Sequence, residues 1–116
     1  MTKMSNVNIK LPGGDLASRR LAIPKRYQIE NAIDGVSPVL LDLSDVKSIS
    51  ESYADELFGV LTVKYGHEFL LKNIKIIGAP KSVIQNIAIV IQRRKNEMQK
   101  KNNFSLPLNN TFSLAY

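Results

Sequence analysis

Apolar and polar residues alternate at the start of the chain. In "VNIKL", Val7, Ile9 and Leu11 are separated by Asn8 and Lys10, the period of a half-buried strand. "PGG" at 12–14 ends that run, and Asp15 is placed to N-cap a helix. "DLASRRLAIPKRYQIENAI" reads as helical, with Leu16, Ala17, Ile23, Tyr27 and Ile33 as inward positions. Pro24 lies inside the pattern and predicts a kink there or a split into two short helices. "PVLLDL" at 38–43 is a compact apolar run bounded by turn residues, a central strand. From Ser52 to Tyr65, Ala54, Leu57, Phe58, Leu61 and Tyr65 recur at helical spacing, with Gly66 as C-cap. "NIKIIG" is another strand, turned by Gly78, Ala79 and Pro80. "KSVIQNIAIVIQRRKNEMQKK" is then a helix with Ile84, Ile87, Ala88 and Ile91 inward. Its β-branched "IAIVI" core would suit a strand, but its length and polar flanks favour the helix.

Strands that alternate with helices imply right-handed crossovers and a partly parallel sheet. The expected fold is a single α/β domain over residues 1–101, with a mixed sheet of about four to five strands and about three main helices. Residues 102–116 form a tail in which "NNFSLPL" is echoed by "NNTFSLAY". Its alternation suits an extra strand or hairpin, or a segment that docks on a partner. Sites in such folds lie outside the carboxyl ends of the strands, which points to residues 44–52.

Composition narrows the class. An apolar fraction of 44% and a charged fraction of 22% over 116 residues are those of one soluble globular domain. No apolar run approaches the ~20 residues of a membrane span, and the N-terminus lacks the apolar stretch of a secretory signal. Cysteine is absent, which removes disulfides, a thiol nucleophile and thiolate zinc sites, and permits a cytoplasmic location. The net charge of +6 is unevenly spread. Arg19, Arg20, Lys25 and Arg26 form one basic cluster, and Arg93, Arg94, Lys95, Lys100 and Lys101 another. Between them, residues 42–56 carry Asp42, Asp45, Glu51, Asp55 and Glu56 against Lys47 alone. The basic clusters suit either solvated helix faces or contacts with phosphate or acidic partners.

Catalytic chemistry finds little footing. His67 lies just past a helix end, where a solvated or capping role is simpler than a base in a Ser-His-Asp set. "PGGD" has neither the spacing nor the lysine of a phosphate-binding loop. A phosphoacceptor-aspartate domain needs acids at the end of its first strand, and this one ends in Leu11-Pro12. Asp42, Asp45, Asp55 and Glu56 could collect a metal, but Asp55 and Glu56 are helix neighbours diverging by ~100°. Acids in a first helical turn answer more simply to the helix dipole. The residues therefore point to a non-enzyme without cofactor or metal.

The junction "SISES" at 48–52 remains. Ser52 and Asp55 fit the S-x-x-[DE] capping-box spacing, in which each side chain satisfies a free backbone N–H. The longer stretch "LLDLSDVKSISESYADELFGVL" resembles the strand-loop-helix of the STAS domain, the fold of bacterial anti-sigma-factor antagonists. Those proteins carry D-L-S, an apolar residue two positions on, and D-S-S-G-L at the head of a helix. Asp42, Leu43, Ser44, Val46 and Ile49 match, and Ser52 falls on the serine that a partner kinase phosphorylates. Ser50, Glu51 and Tyr53 stand where the antagonists have the acid, the first serine and the glycine. These departures, with "SRR" at 18–20, "SYADELFGVL", "YG", "IKIIG" and a helix carrying "RR", are similar to a STAS-like family of unassigned function over about residues 15–95.

The resemblance implies a regulatory, protein-binding module whose partner is a histidine-kinase-type ATPase. Its contact face is then Ser50, Glu51, Ser52, Tyr53, Asp55 and Glu56, with Ser52 as phospho-switch. The rival reading is a basic nucleic-acid-binding protein using the clusters at 93–101 and 19–26, with Arg19, Arg20, Arg93, Arg94 and Lys95 as contacts. It lacks the interleaved aromatics of single-strand binders and a recognisable helix-turn-helix.

Overall fold

A computed structural model describes residues 7–105, with side chains described through residue 100. The first alternating segment forms β1 (Asn8–Lys10), which buries Ile9 and leads into buried Leu11. The "PVLLDL" run forms β3 (Val39–Asp42), and "NIKIIG" forms β5 (Ile74–Ile77). These three make a parallel sheet ordered β1-β3-β5, so the apolar run at 38–43 is the central strand that its composition predicts. Val39 and Leu41 are buried, while Leu40 and Asp42 are half-buried.

Two further strands are not legible in the pattern. β2 (Gly14–Leu16) and β4 (Val46–Ile49) form a separate two-stranded parallel sheet, with a register irregularity between Gly14 and Asp15. Every strand pairing described is parallel, so two small parallel sheets replace the mixed sheet that the pattern predicts. Asp15 is therefore no helix cap. It lies in β2 and accepts a hydrogen bond from Ser48 Oγ at 2.7 Å.

The helix after β2 begins later than the pattern suggests. α1 (Arg19–Ala32) has Ser18 at its N-cap and runs through Pro24 as one element. Its inward residues are Ala22, Arg26 and Ile29; Ile23 is half-buried and Tyr27 is 55% exposed. Apolar periodicity misplaces this face because its central position, Arg26, is charged.

A helical rod begins just beyond β4, built from α2 (Glu51–Ala54), a π-helical turn (Asp55–Gly59) and α3 (Val60–Tyr65). Ala54, Leu57, Phe58 and Leu61 are fully buried as expected, and Gly66 ends the rod at a φ of 87°. His67 opens α4 (His67–Asn73), a short helix that the apolar pattern does not reveal. α5 (Lys81–Ser105) buries Val83, Ile87 and Val90, one helical face. Ile84 (40% exposed) and Ala88 lie off that face, and Ile91 is half-buried. α5 also continues through residues 102–105, where the tail was expected to begin; the remainder of that tail lies outside the described residues.

The π-helical turn packs between α1 and α5, and α5 also touches β4. The resulting core joins Leu41 and Leu43 of the central strand region to Tyr53, Phe58 and Val90. No helix among the described residues is long and apolar enough to cross a membrane.

Candidate functional site

The rod starts where β4 ends, and Ser50 makes the joint. Its Oγ accepts a hydrogen bond from the Tyr53 backbone N–H at 3.0 Å and donates to the Ala17 carbonyl at 2.7 Å. Its own N–H donates to the Leu16 carbonyl at 2.7 Å. Ser50 is thus both helix N-cap and tether to β2. The capping role expected of Ser52 falls instead to Ser50, two residues earlier. Ser52 lies inside the helix, exposed, beside Glu51, whose carboxylate pairs with Arg93 at 3.1 Å.

One turn further on, the acids turn inward. Asp55 is 6% exposed and meets Arg94 through two parallel bonds, Nε to Oδ1 and Nη2 to Oδ2, each 2.8 Å. Arg19 reaches the same Oδ2 at 3.2 Å and spans to Glu56 Oε1 at 3.2 Å. Glu56 Oε2 takes Arg26 Nε at 3.2 Å and Nη2 at 3.1 Å. Arg26 also donates to Glu30 at 2.7 Å, and Glu30 accepts from Lys64 and from the Tyr65 hydroxyl. These bonds form a continuous layer joining α1, the rod and α5.

Bidentate guanidinium–carboxylate geometry is the strong form of the ion pair. Arg94's hydrogen bonds hold the Asp55 carboxyl below the usual carboxylate range, against the opposing effect of burial. Burial pushes Glu30 the other way, but Lys64, Tyr65 and Arg26 outweigh it, and its pKa is also lowered. Gly59 leaves room for this arrangement. A Cβ there would run into the Asp55 carboxylate, lying 3.1 Å from Asp55 Cγ and 3.2 Å from Arg94 Cγ.

The structure therefore divides the sequence-predicted residues. Glu51 and Ser52 lie at the surface, Ser50 is spent on the cap, and Tyr53 is buried. Asp55 and Glu56 face arginines and not solvent. Of the basic residues, Arg19, Arg26 and Arg94 are held in the layer and Arg93 by Glu51, while Arg20 is exposed and Lys95 half-buried. Asp42 and Asp45 are engaged elsewhere: Asp42 Oδ1 accepts the Ser44 N–H at 2.9 Å, and Asp45 pairs with Lys10 at 3.1 Å. Among the described residues no three His, Asp or Glu side chains gather as a metal site.

A family model described as a STAS-like domain of unknown function matches residues 26–83, half of the chain. The chain belongs to this family. The matched segment runs from Arg26 to Val83 and so takes in the central strand, the Ser50 cap and the whole rod with Asp55 and Glu56. The STAS-like assignment agrees with an α/β fold in which a helix starts directly beyond a parallel strand. Comparison with the curated proteins and with the solved structures returns no match.

Proposed function

We propose that this STAS-like domain is a non-catalytic regulatory module of a bacterial cytoplasm that binds a protein partner through the exposed start of the rod. Ser52 is its switch. The supporting observation is the division of labour between the two serines. Ser50 is committed to the cap on both sides of its hydroxyl, while Ser52 stands exposed in the first turn. A phosphate on Ser52 adds close to two negative charges at a helix N-terminus that favours them. The same charge beside Glu51 repels an acidic partner surface, which makes the modification an off-signal for binding. A kinase-like ATPase is the partner class that both binds such a face and supplies the phosphate.

Carboxylate pairing of Arg19, Arg26, Arg93 and Arg94 supports this reading over one in which the basic clusters grip nucleic acid. Affinity capture from the native host, with wild type and Ser52→Asp as parallel baits, tests it. A protein retained by wild type and lost from Ser52→Asp is expected. Retardation of duplex or single-stranded DNA that weakens steeply with salt, with no such protein captured, would favour the nucleic-acid reading.

A further inference from the structure

Helix α5 carries more apolar residues than the core uses. Val83, Ile87 and Val90 point into the core. Ile84, Ala88 and Ile91 recur at i, i+4 and i+7 and form an adjoining stripe that is only partly covered. With Leu71 of α4 and Ile76 of β5, this stripe walls a groove of about 290 Å³. Leu71 is 65% exposed and Ile84 40%. No Asp, Glu, Lys or Arg lines the groove; His67 and Gln92 are its polar members. An open apolar surface of this kind marks a place that another segment covers.

The continuation of the chain beyond α5 has the chemistry and the length to cover it. Residues 102–116 carry no charged side chain, in a protein that is 22% charged. Such a segment sets no charge against the aliphatic walls, where a charge would be costly. Phe112, Leu114 and Tyr116 alternate with Thr111, Ser113 and Ala115, so an extended chain puts the three large side chains on one face. Back along the axis from Ser105, Ile91 lies about 21 Å away, Ala88 about 26 Å and Ile84 about 32 Å. Pro107 cannot continue the helix. From a reversal there, an extended chain reaches about 23 Å at Leu114 and about 30 Å at Tyr116. Leu114 then comes level with Ile91 and Ala88, and Tyr116 with Ala88 and Ile84. We infer that residues 111–116 fold back along α5 and dock in this groove, with Leu114 and Tyr116 packed against Leu71, Ile84, Ala88 and Ile91. Tethering gives the segment an effective concentration on the order of millimolar, so modest apolar burial holds it in place. The docking is independent of Ser52 and of the rod start.

The test uses the full-length chain. It contains no cysteine, so Ser113→Cys gives a single attachment point for a nitroxide, on the face of the segment opposite Leu114. Paramagnetic broadening of backbone amides should be strong at Leu71, Ile76 and Ala88 and weak at Arg20 and Gln28 on α1. Isotope-labelled protein without nitroxide, mixed with unlabelled protein that carries it, should show no such broadening, since the docking is within one chain. Leu71→Glu and Leu114→Asp, each added to the nitroxide-bearing chain, should abolish the broadening at Ile76 and Ala88. Leu71 is largely exposed, so Leu71→Glu should leave the amide pattern of the core in place. Groove amides broadened no more than those of α1 would overturn the inference. So would equal broadening in the mixed sample, which would make a second copy the occupant, or broadening that survives both Leu71→Glu and Leu114→Asp.

Discussion

Two successive turns of one helical rod use the same residue types for opposite purposes. At its start, Glu51 and Ser52 face solvent, and one surface ion pair joins Glu51 to α5. Four residues on, Asp55 and Glu56 are enclosed by three arginines from two other helices. Exposed pairs of the first kind are worth about 0–1 kcal/mol. Removing one member of an enclosed pair costs about 3–5 kcal/mol, because the partner's charge is left buried. Acidic character along "SESYADE" is thus no guide to function by itself. Position relative to the cap decides which acids hold the fold together and which face solvent.

The largest expected effect sets the scale for the apolar middle of the rod. Phe58 is 1% exposed, and Phe58→Ala should cost about 3–5 kcal/mol as a large-to-small core change. Urea denaturation with an unchanged slope measures it, and a cost near zero would mean the rod is rotated from the position described.

Asp55→Asn should come next, at about 3 kcal/mol, the low end for an enclosed pair because Arg94 and Arg19 keep part of their side chains in solvent. This contribution depends on pH. The folded-state pKa of Asp55 lies below its unfolded value, so the stabilisation is complete above the unfolded pKa of about 4 and is lost as pH falls through the folded pKa. The gap in melting temperature between wild type and Asp55→Asn should therefore narrow on acidification below about pH 4. A gap independent of pH would place the cost of Asp55→Asn in packing and not in charge.

Gly59→Ala should be smaller, about 1–3 kcal/mol, since its added methyl displaces the Asp55 carboxylate from Arg94 without deleting either. In the double variant Gly59→Ala/Asp55→Asn the two costs should be clearly less than additive, because both break the same contact. Full additivity would separate the glycine from the ion-pair layer.

Much of this arrangement is legible in the sequence, and the failures have physical causes. The three strands of the larger sheet and the buried face of the rod show in apolar periodicity, because each buries a simple apolar stripe. The inward face of α1 does not, because Arg26 occupies its centre and a hydropathy pattern counts it as outward. β2 and β4 are short, irregular in register and do not alternate, so period-two reasoning has nothing to find. Spacing assigns the cap to Ser52 because Ser52 and Asp55 match a capping box. Tertiary contacts to Leu16 and Ala17 fix the helix start at Ser50. The arginine layer does have a signal: adjacent arginines at 19–20 and 93–94, with the acid pair at 55–56 between them, is a pattern of partners as much as of phosphate contacts.

The smallest stability effects carry the most functional information, and one paired measurement reads them. Ser50→Ala, Ser52→Ala and Ser52→Asp are melted, and the same samples are titrated against the partner captured by wild type. Ser50→Ala should lose about 1 kcal/mol or somewhat more, as a lost N-cap, and keep its partner affinity once folded. Ser52→Ala and Ser52→Asp should both melt within about 0.5 kcal/mol of wild type, as exposed substitutions do. Ser52→Asp alone should weaken the partner by about tenfold or more, or about 1.4 kcal/mol. The opposite pattern would contradict the division between cap and switch: a destabilised Ser52→Ala beside an unaffected Ser50→Ala, with Ser52→Asp binding as tightly as wild type.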